Sequence, residues 1–133
     1  MTVLATDATL QRLTTIRLGL LRQHKRLLEA ERLAYENIHG RIPTSGAFLQ
    51  LVIADPWFDW LHTISRLVVQ IDERLDNKEP LRADEAKDFL DKAHLLLQPA
   101  TDKASFQAHY EAVIQRDSAI ALAHTELLKL LHP

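Results

Sequence analysis

Apolar residues recur along most of the chain at spacings of three and four, the periodicity of an α-helix. No run of the sequence shows the alternation typical of a half-buried strand. The first segment, from about Asp7 to His39, predicts one long helix with Asp7 as its N-cap and with Gly40 and Pro43 as its stop. Its apolar stripe consists of Leu10, Leu13, Ile16, Leu20, Leu27, Ala34 and Ile38. We therefore expect an all-α fold whose first helix is about 50 Å long.

Three more helices are predicted after the first. The second extends from Gly46 to Asn77 but contains Asp55-Pro56, so we expect it to be Pro-kinked or broken into two nearly collinear helices. A shorter third helix covers about Arg82 to Gln98, and the last covers about Lys103 to Leu131. Because the connections have about four to six residues, the four helices predict an up-down-up-down bundle. We expect a single domain, residues 1–133. The short third helix covers only part of the length of the first, so one end of the bundle is expected to be open.

Composition fits one globular domain and excludes several classes of function. The chain of 133 residues has no Cys, which excludes disulfides, thiolate nucleophiles and Cys-ligated zinc. Its net charge of −2 argues against binding to nucleic acid or to an anionic membrane. The longest uncharged stretch, from Ile42 to Ala54, is too short to span a bilayer. The first ten residues lack the features of a secretory signal, so we expect a cytoplasmic protein.

Known catalytic motifs are missing from the sequence. It contains no G-x-S-x-G, no phosphate-binding loop and no H-E-x-x-H. The three glycines, at positions 19, 40 and 46, are too far apart to form a dinucleotide-binding loop. We therefore expect a protein that is not an enzyme.

Several titratable residues lie on or beside the apolar stripes, where a helical bundle would place metal ligands. Counting along the predicted helices puts His24, His62 and Asp117 near one level, and Glu31 and His124 lie on similar faces. Facing helices can direct such groups at one point, and without Cys the site would suit Zn, Fe or Mn. In the alternative, which we favour, these residues pair with one another, with Arg17 or with Tyr as buried, satisfied polar groups. A metal- or cofactor-binding bundle remains the second interpretation.

Trp57, Phe58 and Trp60 form a dense aromatic group directly after Asp55-Pro56. Four consecutive α-helical positions point around most of the helix, so one core cannot bury all three rings equally. Either Phe48, Leu49 and Val52 fold back over them, or at least one ring contacts another protein or a second copy of the chain. Our leading functional hypothesis is a protein that acts through protein contacts, as a homodimer or as a small adaptor or regulatory protein.

The middle of the chain carries a specific pattern. It consists of Leu27-Leu-Glu-Ala-Glu-Arg-x-x-Tyr-Glu-x-Ile-His-Gly40, then Gly46-x-Phe-Leu-Gln-Leu-Val-Ile-x-Asp-Pro-Trp-Phe-x-Trp-Leu61, then Ser65-x-Leu-Val-Val-x-Ile-Asp72. This pattern resembles an uncharacterised family of small bacterial helical-bundle proteins, with a looser likeness in Gln115-Arg-Asp117 and Leu122-Ala-His124. The family has no established activity. The resemblance therefore implies a bacterial, cytoplasmic setting and assigns no catalytic residue.

Overall fold

The computed structural model describes residues 2–132, which fold into six α-helices and one 3₁₀ helix. The elements are α1 Asp7–His39, α2 Ser45–Ala54, the 3₁₀ helix Pro56–Leu61, α3 His62–Leu75, α4 Ala83–Leu96, α5 Phe106–Arg116 and α6 Ser118–Leu131. No strand forms in this part of the chain, apart from one isolated bridge between Leu4 and Arg82. The all-α prediction is confirmed. None of the helices within residues 2–132 is long and apolar enough to cross a membrane.

The first helix has the predicted bounds but a different N-cap. The side chain of Thr6, and not that of Asp7, accepts a hydrogen bond from the backbone N–H of Thr9. At the other end, Gly40 has φ of +86°, a value that favours glycine because it has no Cβ. Its N–H donates to the carbonyl of Glu36 and satisfies one of the last free acceptors of α1.

Helix α6 lies antiparallel to α1. The guanidinium Nε of Arg12 donates to the carbonyl of Leu130 over 3.1 Å, and Nε2 of Gln23 donates to the carbonyl of Ile120 over 3.0 Å. Residue numbers increase along α1 while those of the partner residues decrease along α6. The two helices therefore run in opposite directions. The four core residues Leu13, Ile16, Leu20 and Leu27 form the fully buried side of α1.

The 3₁₀ helix and α3 also return alongside α1. Asp72 accepts a hydrogen bond from Arg17 over 2.7 Å near the start of α1. The ring centroids of Phe58 and Tyr35 lie 5.7 Å apart near its end. The short α4 has bounds within two residues of the predicted third helix.

We expected α2 to be nearly collinear with the chain that follows it, but it is not. The ring centroids of Phe48 and Phe58 are 5.7 Å apart, and Nε2 of His62 lies 2.8 Å from the carbonyl oxygen of Val52. Residues ten positions apart in one continuous helix would be about 15 Å apart. The backbone of Asp55 is extended, and there α2 turns back onto the 3₁₀ helix. The predicted break is present, but the predicted direction is wrong.

The predicted last helix is likewise two helices. Asp117 is extended, with φ of −134° and ψ of 108°, and its carboxylate accepts from the N–H of Ile120 to cap α6. The hydroxyl of Tyr110 on α5 lies 3.0 Å from Nδ1 of His124 on α6. In one continuous helix these residues would be about 21 Å apart. The predicted single helix from Lys103 to Leu131 is therefore wrong.

Candidate functional site

The 3₁₀ helix arranges its aromatic side chains in two rows. With three residues per turn, side chains at i and i+3 lie in line. Trp57 therefore lies in line with Trp60, and Phe58 with Leu61. Phe58 and Leu61 are fully buried, whereas both Trp side chains are partly exposed. Phe58 thus belongs to the core and not to the contact surface predicted for it, because the segment is a 3₁₀ helix and not the α-helix that we assumed.

Local sequence explains where this 3₁₀ helix begins. The carboxylate of Asp55 accepts from the N–H of Trp57 over 2.9 Å, and Pro56 occupies the first helical position, where no N–H is needed. The N–H of Phe58 donates to the carbonyl of Asp55, which is the three-residue spacing of this helix type. Asp55 and Pro56 thereby set the positions of both tryptophans.

A cleft of about 540 Å³ opens beside the two Trp side chains, between α1, the 3₁₀ helix and α5. We call it the Trp cleft. Its lining residues are Glu31, Pro56, Trp57, Asp59, Trp60, Ala104 and His109. Both tryptophans of the chain line this one cleft. The predicted contact residues Trp57 and Trp60 are therefore brought together, in a cleft that two carboxylates, Glu31 and Asp59, also line.

Neighbouring rings hold both indoles in place. Trp60 stacks on His109 with centroids 5.4 Å apart and an angle of 15° between the planes. Trp57 meets Tyr35 edge to face at 5.5 Å. Such pairs add about 0.5–1.5 kcal/mol beyond the area that they bury. His109 could not be assigned to this cleft from the sequence, because it lies about 50 residues from the tryptophans and only the tertiary fold brings it there.

The charge of the Trp cleft is negative. Asp59 is exposed, whereas Glu31 is 8% exposed and its Oε1 lies 2.6 Å from the guanidinium of Arg116. Among the described residues that line the cleft, none is Lys or Arg. The cleft therefore combines aromatic walls with two carboxylates, of which one is partly neutralised by Arg116.

Four of the five predicted metal ligands pair with other groups of the chain. Glu31 pairs with Arg116, Asp117 caps α6, His124 bonds Tyr110, and His62 contacts the carbonyl of Val52. Within residues 2–132 no three His, Asp or Glu side chains are placed to hold a metal ion. The structure thus does not assemble the expected site for Zn, Fe or Mn. Asp117 lies at the break between α5 and α6, where its carboxylate caps α6.

Two of the predicted ligands do lie near each other. His24 on α1 is partly buried, and burial lowers its pKa first, followed by the charge of nearby His62. The two imidazoles thus lie close enough for a charge on His62 to disfavour a proton on His24.

The outer side of α2 forms a second candidate surface. Its ten residues include no charged side chain, and none of the ten is buried. Leu49 and Ile53, one turn apart, are 56% and 58% exposed. We call these two side chains the α2 face. A groove of about 560 Å³ lies beside α2, bordered by Tyr35, His39, Pro43 and Leu51 among others.

Three comparisons with known proteins identified no relative of this chain. The resemblance of residues 27–72 to a bacterial family stays a prediction from the sequence. A scan of protein-family models, a search of curated proteins and a search of solved structures found no match to this chain.

Proposed function

We propose that this protein acts through protein contacts, with the α2 face as its contact surface and a second copy of the chain as its partner. The observation that carries the proposal is the pair Leu49 and Ile53, both more than half exposed on a helix without charge. A helix at the surface of a monomer normally presents charged or polar residues to water. Helix α2 has no charge on any side, so burial of its outer face in a partner costs no ionic solvation.

The lack of charge favours self-association over capture of a charged partner. A charged partner would find no complementary charge on the α2 face. A two-fold contact places the same surface on both chains, so an uncharged face meets an uncharged face without repulsion. A homodimer therefore fits this surface better than an adaptor that recognises a charged segment.

Two other exposed leucines, Leu122 and Leu95, lie beside charged residues. Leu122 borders a groove between α1 and α6 that also includes Arg22 and Arg26. Leu95 borders a groove that includes Lys92. Burying either leucine in a partner would also remove charged groups from water, which is costly unless they are paired. The α2 face carries no charge of its own, and the groove beside it is bordered by one residue of each charge, Arg41 and Asp55.

The size of the surface indicates a reversible dimer. A helix of ten residues is about 15 Å long, whereas a standard interface buries about 800 Å² on each partner. The groove beside α2 enlarges the contact, because it has room for Leu49 or Ile53 of the second copy. We expect a dissociation constant on the order of micromolar.

We also propose that α1, α3, α4 and α6 form the predicted up-down-up-down bundle. The antiparallel contacts of α1 with α3 and α6 support this arrangement, as does the ion pair of 2.7 Å between Arg74 near the end of α3 and Glu85 near the start of α4. Helix α5 then belongs to the connection between α4 and α6. In this arrangement α2 packs outside the bundle, where it is accessible to a second copy.

Sedimentation equilibrium at increasing concentration tests the dimer. The average mass of the wild-type protein should rise from the monomer value of 15.2 kDa towards twice that value. Leu49→Lys should keep the protein monomeric. In a two-fold dimer each chain would bring one new positive charge into the same interface, and the two charges would repel each other. Leu122→Lys, at a similarly exposed leucine on α6, should dimerise like the wild type.

Two results would contradict this proposal. One is a wild-type protein that stays monomeric up to about a hundred times the expected micromolar dissociation constant. The other is a Leu49→Lys variant, shown to be folded by circular dichroism, that dimerises as strongly as the wild type.

A further inference from the structure

The Trp cleft has the composition of a site for an organic cation. The negative face of an indole ring attracts an ammonium group, and Trp is the strongest of the aromatic side chains in this respect. Trp57 and Trp60 supply two such rings, and Glu31 and Asp59 supply negative charge beside them. We propose that the Trp cleft binds an alkylated ammonium group.

The carboxylate of Glu31 is positioned for this role. It is 8% exposed, and Arg116 donates to its Oε1. No second donor from residues 2–132 reaches Oε2, and that oxygen is available to the positive charge of a ligand. Asp59 contributes a second carboxylate at the exposed side of the cleft. An anionic ligand would meet both carboxylates, so the charge of the cleft selects a cation.

The cleft is largely formed before a ligand arrives. Trp60 is held by Phe106, at 5.4 Å, and by the stacked ring of His109. Trp57 is fixed by Tyr35 and His39, at 5.5 and 6.0 Å. Rings that are already ordered lose little conformational entropy on binding. The volume of about 540 Å³ lies in the usual range for small-molecule sites.

This inference goes beyond the proposed dimer. Leu49 and Ile53 do not line the Trp cleft, and the groove beside α2 shares only Pro56 with it. Ligand binding and self-association can therefore be measured separately, and one can fail without the other.

Choline and 3,3-dimethyl-1-butanol form a matched pair of probes, because the alcohol has the same shape and lacks the charge. The chain has two tryptophans, so a ¹⁵N NMR spectrum contains two indole N–H signals, and both report on the cleft. Choline should shift both signals to saturation. The neutral alcohol should bind at least about tenfold more weakly, because the cation–π attraction and the carboxylates act only on the charge.

Two variants test the residues of the cleft. Asp59→Asn should weaken choline binding about two- to fivefold, the size of one exposed charge contact. Trp60→Phe should weaken it by a similar factor, because Phe is a poorer ring for cations. Asp91→Asn, at an exposed aspartate on α4, is the control and should bind choline like the wild type.

The source of the ammonium group is distinguished by a third probe, a short peptide that carries one trimethyllysine. Tighter binding of the peptide than of choline assigns the site to a modified protein partner. Equal or weaker binding assigns it to a free small molecule. The proposal is overturned by a lack of saturable shifts with all the charged probes, by equal affinity for choline and the alcohol, or by equal affinity in Asp59→Asn and the wild type.

Discussion

Tyr110 on α5 and His124 on α6 are joined side chain to side chain, with 3.0 Å between the hydroxyl oxygen and Nδ1. Gln23 on α1 extends this contact, since its Nε2 donates to the hydroxyl oxygen over 2.9 Å and to the carbonyl of Ile120. The hydroxyl accepts from Gln23 and also forms a hydrogen bond with Nδ1 of His124, whose direction depends on the imidazole tautomer. Three helices are connected through this network.

We expect Tyr110→Phe to lower the free energy of unfolding by about 1–2 kcal/mol, since it leaves Nδ1 of His124 without its partner. Burial also raises the pKa of Tyr110 to about 12, which shows how strongly the site favours the neutral hydroxyl. Chemical denaturation followed by circular dichroism measures the change.

Gln23→Met provides the comparison for this variant. Oε1 of Gln23 is buried without a hydrogen-bond partner, and the substitution removes it together with Nε2. We therefore expect Gln23→Met to cost less than Tyr110→Phe. A larger loss for Gln23→Met would show that the network depends on the amide and not on the hydroxyl.

Stability should fall as the solution is acidified. Burial lowers the pKa of His124, and burial and the charge of His62 lower that of His24, so the unfolded chain binds more protons than the folded one. The contribution of both groups is fully present above about pH 6.5 and is lost as the pH falls through the lowered pKa values.

Urea denaturation at a series of pH values between about 7 and 5 checks this expectation. His24→Gln and His124→Gln should each reduce the loss of stability on acidification. His39→Gln, at an exposed histidine near the end of α1, is the control. Equal acid sensitivity in all three variants and the wild type would contradict the prediction.

Alanine should have opposite effects at two glycines that lie six positions apart. Gly40 has φ of +86° and ψ of 171°, a region that is essentially restricted to glycine, so Gly40→Ala should cost about 1–3 kcal/mol. Gly46 lies in α2, where an added Cβ would only touch the hydroxyl of Thr44 at 3.9 Å, and Gly46→Ala should stabilise the protein by up to about 1 kcal/mol. Thermal unfolding measures both, and a stabilising Gly40→Ala would contradict the assigned backbone.

Local signals were enough for part of the fold. The bounds of α1 and the stop at Gly40 follow from apolar periodicity and from one glycine, and both are confirmed. Asp117 shows where local interpretation failed. Its side chain caps α6, a common role for Asp, but the apolar stripe on both sides suggested one helix with Asp117 as a core-facing ligand.

The candidate site was also only partly predictable. Trp57 and Trp60 stand out in the sequence as candidate contact residues, and the structure leaves both partly exposed. Their alignment depends on a 3₁₀ helix in place of an α-helix, a difference of less than one residue per turn that the sequence pattern did not reveal.

By itself, the sequence determined the helical content, the first helix, the break at Asp55-Pro56 and the lack of charge on α2, because these depend on neighbours within a few residues. Tertiary structure alone decided that α2 packs against the 3₁₀ helix and that α6 packs against α5, where Tyr110 contacts His124. It also decided that His109 and Glu31 line one cleft with the tryptophans. Such contacts connect residues far apart in the chain. Their geometry depends on the direction in which each helix leaves its turn, and packing against the core sets that direction.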